Sequence, residues 1–121
     1  MMRIMLKSKI FHATITAAEL HYKGSISIDQ DIIEKADLRE NEKVEVLNLN
    51  NGERLQTYVI RAKRASGTIC LNGPAARLGH KGDKIIILSY GLYAEEELKR
   101  VKPIIIELDE KNGIKNTHVA R

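Results

Sequence analysis

The stretch KVEVLNLNNGERLQTYVI, residues 43–60, decides how this chain is read. Asn50-Asn51-Gly52 lies between two β-forming segments, and Asn and Gly tolerate the positive φ that a tight turn requires. The stretch therefore predicts a hairpin of strands 43–49 and 53–60. On the second strand the period of two puts Arg54 and Tyr58 on one face and Thr57 on the other.

Outward from this hairpin, short β-branched segments punctuated by glycine and asparagine predict further strands at 3–7, 10–16, 25–29, 68–72, 84–90 and 103–108. That pattern is mainly β, a small barrel or sandwich with short helices, and not a helical bundle. Asp29 is placed to cap a helix over 30–36 that buries Ile32, Ile33 and Ala36. Residues 94–100 predict a second helix with Glu96 and Arg100 four apart for pairing, and Pro74 to Leu78 a single turn begun by proline. From Lys111 onward the chain is polar and expected to be loose. Its 121 residues hold no linker-like tract, so one domain, 1–121, is expected. At that size an active site completed by neighbouring subunits is a reasonable expectation.

Composition narrows the function. Hydrophobic residues make up 43% and charged residues 30%, and the longest apolar runs, such as Ile85 to Leu88, fall far short of a span. A membrane crossing by helix needs about 20 residues. The N-terminus has no apolar block followed by a small-residue cleavage site, which makes the cytoplasm the expected compartment. The net charge of +4 is spread among 16 acidic residues and only 4% of residues are aromatic, so a nucleic-acid surface is not expected. A mildly basic surface also attracts small dianions. The single cysteine, Cys70, reads as a strand residue that fills space. His12, His21, His80 and His118 show no metal-ligand spacing, and no metal is expected.

A Gly-Ser pair by itself marks only a turn leading into a strand, here Ser25 to Asp29. Its context is more informative. His21-Tyr22-Lys23-Gly24-Ser25-Ile26-Ser27-Ile28-Asp29 resembles the self-processing segment of the aspartate 1-decarboxylase family, whose members are pyruvoyl-dependent. Matching segments follow in order: Met5 to Ile10, Asn41 to Val44, Asn51 to Tyr58, Ser66-Gly67 through Ala75-Ala76, and Gly82-Asp83. The resemblance covers about residues 1–93. It implies a six-stranded double-psi β-barrel and autocatalytic cleavage at Gly24-Ser25, giving a β chain, 1–24, and an α chain, 25–121. A serine hydroxyl can attack the preceding carbonyl when the backbone is held strained and donors stabilise the oxyanion. Glycine at 24 would remove a Cβ that obstructs such a conformation.

The resemblance further implies that Ser25 becomes a pyruvoyl group, which forms a Schiff base with the substrate amine and accepts the electrons left by CO2. Pyridoxal phosphate is then unnecessary. The activity implied is that of a carbon-carbon lyase, decarboxylating L-aspartate to β-alanine for pantothenate and coenzyme A synthesis, in a homotetramer with sites between subunits. Arg54 would bind the substrate carboxylate, as a planar bidentate donor can. Tyr58 would donate the proton to carbon, its phenol staying protonated until a strong base forms beside it. Thr57 would assist cleavage and touch substrate, and Lys9, Asn72, Gly73, Pro74 and Ala75 would line the substrate site. Thr57 and Tyr58 reach one site only if the strand bends or a second subunit closes it; the second is expected. The family more often has alanine where Pro74 stands, which removes one N–H donor. It also has histidine then arginine where Phe11 and His12 stand, so that histidine's role is not carried to His12. Two other readings stay open at this level: the same chemistry on a different amino acid, and an uncleaved barrel that acts as a binding module.

Overall fold

The computed structural model describes residues 1–119, with side chains through 117. The strands are β1 (Met2–Thr14), β2 (Ala17–Glu19), β3 (Ser25–Asp29), β4 (Lys43–Asn48), β5 (Arg54–Ala62), β6 (Ile69–Asn72), β7 (Lys84–Ala94), β8 (Ile104–Leu108) and β9 (Ile114–Val119). One helix, α1 (Gln30–Lys35), and two 3-10 turns, Gly73–Arg77 and Glu95–Glu97, interrupt them. The fold is mainly β, as the strand pattern requires. None of the described helices is long and apolar enough to cross a membrane.

The expected hairpin forms. β4 and β5 pair antiparallel from Lys43↔Tyr58 to Leu47↔Arg54. Gly52 takes φ +76 in the turn. Asn50 N–H and Glu53 N–H donate to the Asn48 and Asn51 side-chain oxygens at 2.8 and 2.9 Å. Asn48 is buried on the inner face, yet its amide nitrogen is satisfied by Leu78 O and Asp83 Oδ2 at 3.1 and 3.0 Å. A buried amide with its groups paired ties the hairpin to the loop before β7 without a desolvation penalty.

The strand order is β2-β6-β3-β5-β4-β7-β1-β8-β9, nine strands among the described residues where the resemblance implies six. β1 and β2 are separated by only Ile15 and Thr16, so the order leaves and re-enters the same stretch of chain. Ile15 N–H donates to Asp83 O at 2.9 Å on the β7 side, and Thr16 N–H to Ile69 O at 2.7 Å on the β6 side. With β1 and β2 taken as one run, the sheet closes into a barrel of that run and β3 to β7. β8 and β9 extend outward from β1. Closure removes edge strands from most of the sheet. Inside lie Ile10, Ile15, Ile26, Val59, Ile85 and Ile106 with their neighbours, each at most 1% exposed. Burial of such a side chain stabilises by about 1.5–3 kcal/mol.

Three expectations are corrected. Strands 3–7 and 10–16 are one strand, β1, kept continuous across register shifts at Leu6/Ser8 and Ile10/Ala13. The helix expected at 94–100 is a single 3-10 turn, capped by the Glu97 carboxylate on Ala94 N–H at 2.7 Å. Among the described residues Glu96 and Arg100 form no ion pair. The tail expected to be loose forms β9 over Ile114–Val119, antiparallel to β8, with Ile114 packed on the core. Residues 120–121 lie outside the described residues.

Candidate active site

Burial changes abruptly at the Gly24-Ser25 junction. His21, Tyr22 and Lys23 are exposed in a loop, Gly24 is half-buried, and Ser25 is 0% exposed as the first residue of β3. β3 runs antiparallel to β6, with Ser25 opposite Asn72, Ile26 opposite Leu71, Ser27 opposite Cys70 and Ile28 opposite Ile69. Ile26, Ile28, Ile69 and Leu71 belong to the core. Alternation therefore turns Ser25, Ser27, Cys70 and Asn72 to the other face, where they form a small polar group. The 3-10 turn Gly73–Arg77 follows directly from β6 and packs against β2 and β3.

Within that group Asn72 Nδ2 donates to Ser25 Oγ at 2.8 Å and to Ser27 Oγ at 2.9 Å. The Cys70 thiol donates to Asn72 Oδ1 at 3.3 Å, the nearer of its two acceptors, the other being Leu71 O at 3.8 Å. Burial pushes the Cys70 thiol pKa up, helped by the nearby Glu19 carboxylate. Cys70 thus does more than fill space. Neither it nor Ser27 stood out in the sequence as a site residue; the i, i+2 patterns Ser-x-Ser and Cys-x-Asn mark them only once the register between the two strands is known.

Gly73 has φ +64, and a Cβ there would lie 2.7 Å from Tyr22 O, 2.8 Å from Gly24 N and 2.9 Å from Gly24 Cα. Its bare backbone lets β6 and the 3-10 turn abut the Gly24 backbone. At Gly24 itself, among the described residues, an added Cβ would meet only Pro74 Cδ, at 3.7 Å. In the described structure the tight steric demand for glycine falls on position 73, while a Cβ at 24 would meet only an ordinary contact.

Gly24, Thr57, Pro74 and Ala75 line a cavity of about 290 Å³ together with Leu55, Gln56 and Leu78. Ser25, Asn72 and Gly73 lie buried beside it. Three expected site residues are not brought there: Lys9, Arg54 and Tyr58 do not line the cavity. Lys9 sits in β1 between Leu88 of β7 and Ile105 of β8. Arg54 and Tyr58 lie on the outward face of β5, where Tyr58 is 38% exposed. The β4–β5 register from Arg54 to Tyr58 shows no bulge among the described residues, so the strand does not bend to bring Tyr58 round to Thr57. His12 is exposed at the second β1 bulge with φ +62, its Nδ1 3.3 Å from Glu107 Oε2, and it takes no part in the cavity. A larger cavity, about 770 Å³, lies between α1 and the β8–β9 turn. Of its acidic groups, Asp31 and Glu34 are bound to Arg64, and Asp29 accepts from the Asp31, Ala65 and Gly67 backbone N–H groups.

Fold and site define a small β-barrel enzyme in which a buried serine, held by a carboxamide, adjoins a cavity near the size of a small metabolite. The Aspartate decarboxylase family model matches residues 1–115. The chain is 57% identical to an Aspartate 1-decarboxylase of Acetivibrio thermocellus over 112 residues, 93% of this chain and 89% of that protein. It is 54% identical to one from Heliobacterium modesticaldum, covering 94% of this chain and 86% of that protein. It is 51% identical to one from Cupriavidus necator, covering 95% and 96%. The chain belongs to the aspartate decarboxylase family and is a carboxy-lyase.

Proposed function

We propose that this protein decarboxylates L-aspartate to β-alanine in the cytoplasm, as a step toward pantothenate, after cutting itself between Gly24 and Ser25. The observation that carries the reading is Ser25 itself: fully buried, its Oγ bonded to Asn72 Nδ2 at 2.8 Å, and joined to a glycine that shares a cavity with Thr57. In the cleavage, Ser25 Oγ forms a bond to the Gly24 carbonyl carbon, the C–N bond breaks, and the hydroxyl proton ends on the freed amine. Elimination then takes the Cα proton of residue 25 to solvent, breaks the Cβ–O bond and releases the Gly24 carboxylate. Water adds at the resulting dehydroalanine and ammonia leaves, so residue 25 ends as a pyruvoyl group.

The residues around position 25 would fit such a group: the site is fully buried and Asn72 Nδ2 is a donor on its polar face, and a keto oxygen, which would stand on Cα and not in the place of Oγ, is an acceptor. Bound in the chain, it supplies an electron sink for decarboxylation. Arg54 holds a substrate carboxylate in bidentate fashion. Tyr58 donates its phenol proton to the carbon that loses CO2. Thr57 offers an oxyanion donor to the Gly24 carbonyl, and Lys9 attracts a carboxylate. Arg54 and Tyr58 face away from Thr57 within one chain, so a neighbouring copy presents them. This supports sites between subunits, in the homotetramer we propose; the proposed chemistry calls for no metal and no pyridoxal phosphate, and no nucleic-acid or membrane partner is proposed.

Denaturing mass spectrometry tests the reading. The mature protein should separate into pieces 1–24 and 25–121, and Ser25→Ala should remain a single folded, inactive chain. An intact wild-type chain after prolonged incubation overturns it. Release of CO2 from glutamate but not from aspartate overturns the substrate.

A further inference from the structure

The Asn72 carboxamide is 3% exposed and makes three contacts, with both N–H groups on serine hydroxyls and the carbonyl on a thiol. A carboxamide turned by half a revolution nearly superposes on itself. Turned so, Oδ1 would face Ser25 and Ser27, whose hydroxyls donate as readily as they accept. It would then bind the Ser25 hydroxyl hydrogen and hold the proton on the oxygen that has to lose it. In the observed orientation an N–H points at that oxygen instead, and this bond strengthens as negative charge grows there.

Two serine hydroxyls cannot choose between these orientations, because either suits them. The thiol can. An S–H donates to a carbonyl, whereas a sulfur atom is a poor acceptor for an amide N–H. Cys70 is placed for this by register: Ser25↔Asn72 and Ser27↔Cys70 are successive same-face pairs of β3 and β6. It is 7% exposed. Burial first, then the Glu19 carboxylate, raises its pKa against the opposing Glu19 backbone N–H, so the sulfur keeps its hydrogen at neutral pH.

We propose that Cys70 is a positioning residue for self-cleavage: its thiol donates to Asn72 Oδ1 and so holds the carboxamide N–H on Ser25 Oγ. This rests on the cleavage reading above. The bond changes are those given there; Cys70 takes part in none of them and acts only through Asn72.

The test compares the full-length wild type with Cys70→Val, close in volume but without a donor, Cys70→Ala, and Cys70→Ser, which restores a donor. The fraction cut is followed over time by denaturing mass spectrometry. Cys70→Val should cut about tenfold more slowly, the loss expected for one hydrogen bond, and Cys70→Ser within about threefold of wild type. A wild-type rate in Cys70→Val, or equal slowing in Cys70→Ser, overturns the proposal. Should Cys70→Val fail to fold by circular dichroism, Cys70→Ala carries the same expectation. A second readout does not need cleavage. In Ser25→Ala, which keeps the Ser27 and Cys70 partners of Asn72, the Asn72 side-chain amide signals in ¹H–¹⁵N spectra should shift on adding Cys70→Val and return with Cys70→Ser. Unmoved signals overturn the proposal. If the wild type is never cut, the cleavage reading fails while these spectra still decide whether the thiol orients the amide.

Discussion

Gly73 and Gly24 are neighbours in space with opposite tolerances. A side chain at 73 would force a left-handed φ of +64 on a non-glycine residue and press within 3.0 Å of the Tyr22 and Gly24 backbone. Gly73→Ala should therefore lose roughly 2 kcal/mol or more in urea unfolding. Gly24→Ala, with only an ordinary contact to Pro74, should stay within roughly 1 kcal/mol of wild type. The reverse order would show that the strain sits at the junction after all. Gly24, Ser25 and Thr57 stand out in the sequence because the short segments that hold them resemble those of the family. The demand at Gly73 could not, because it arises from backbone atoms some 50 positions away in the chain, brought close only by β3–β6 pairing.

At the scale of elements, Asp29 shows how much a cap can hold beyond its own helix. The sequence marked it as the start of α1, and its Oδ1 does accept Asp31 N–H at 2.8 Å. The same carboxylate also accepts Ala65 N–H at 3.1 Å and Gly67 N–H at 2.8 Å from the β5–β6 loop. It is 4% exposed, so removing it strands those donors away from water. Asp29→Ala should cost about 2–3 kcal/mol in thermal or urea unfolding, more than a cap alone. A loss under about 1 kcal/mol would mean the loop finds other partners. Other elements resisted the sequence for definable reasons. The two bulges in β1 interrupt its period of two, so it read as two strands. β9 carries Lys115, Asn116 and Thr117 at the outer edge of the sheet, and an edge strand with so few apolar residues looks like a tail.

Across the whole molecule, the far ends of β1 and β7 run on past the barrel as a two-stranded arm, paired from Met2↔Ala94 to Leu6↔Tyr90. Ile4 is 74% and Leu92 61% exposed on this arm, and they flank a groove with Val44 and Tyr90. Apolar side chains clustered so openly suit a contact surface, which the proposed tetramer needs. Ile4→Asp with Leu92→Asp should keep the β-rich circular dichroism spectrum and reduce the mass seen by light scattering to that of one chain. A double variant that still assembles would place the contact elsewhere. By itself the sequence determined the β-rich class, the hairpin at 43–60 and the helix cap, since each depends on residues near one another along the chain. Only the tertiary structure decided how β1 and β2 close the barrel, that Ser25 shares a polar face with Ser27, Cys70 and Asn72, and that β5 keeps its register without a bend between Arg54 and Tyr58. Those are matters of register and closure, set by which strands meet, and no local run of residues encodes them.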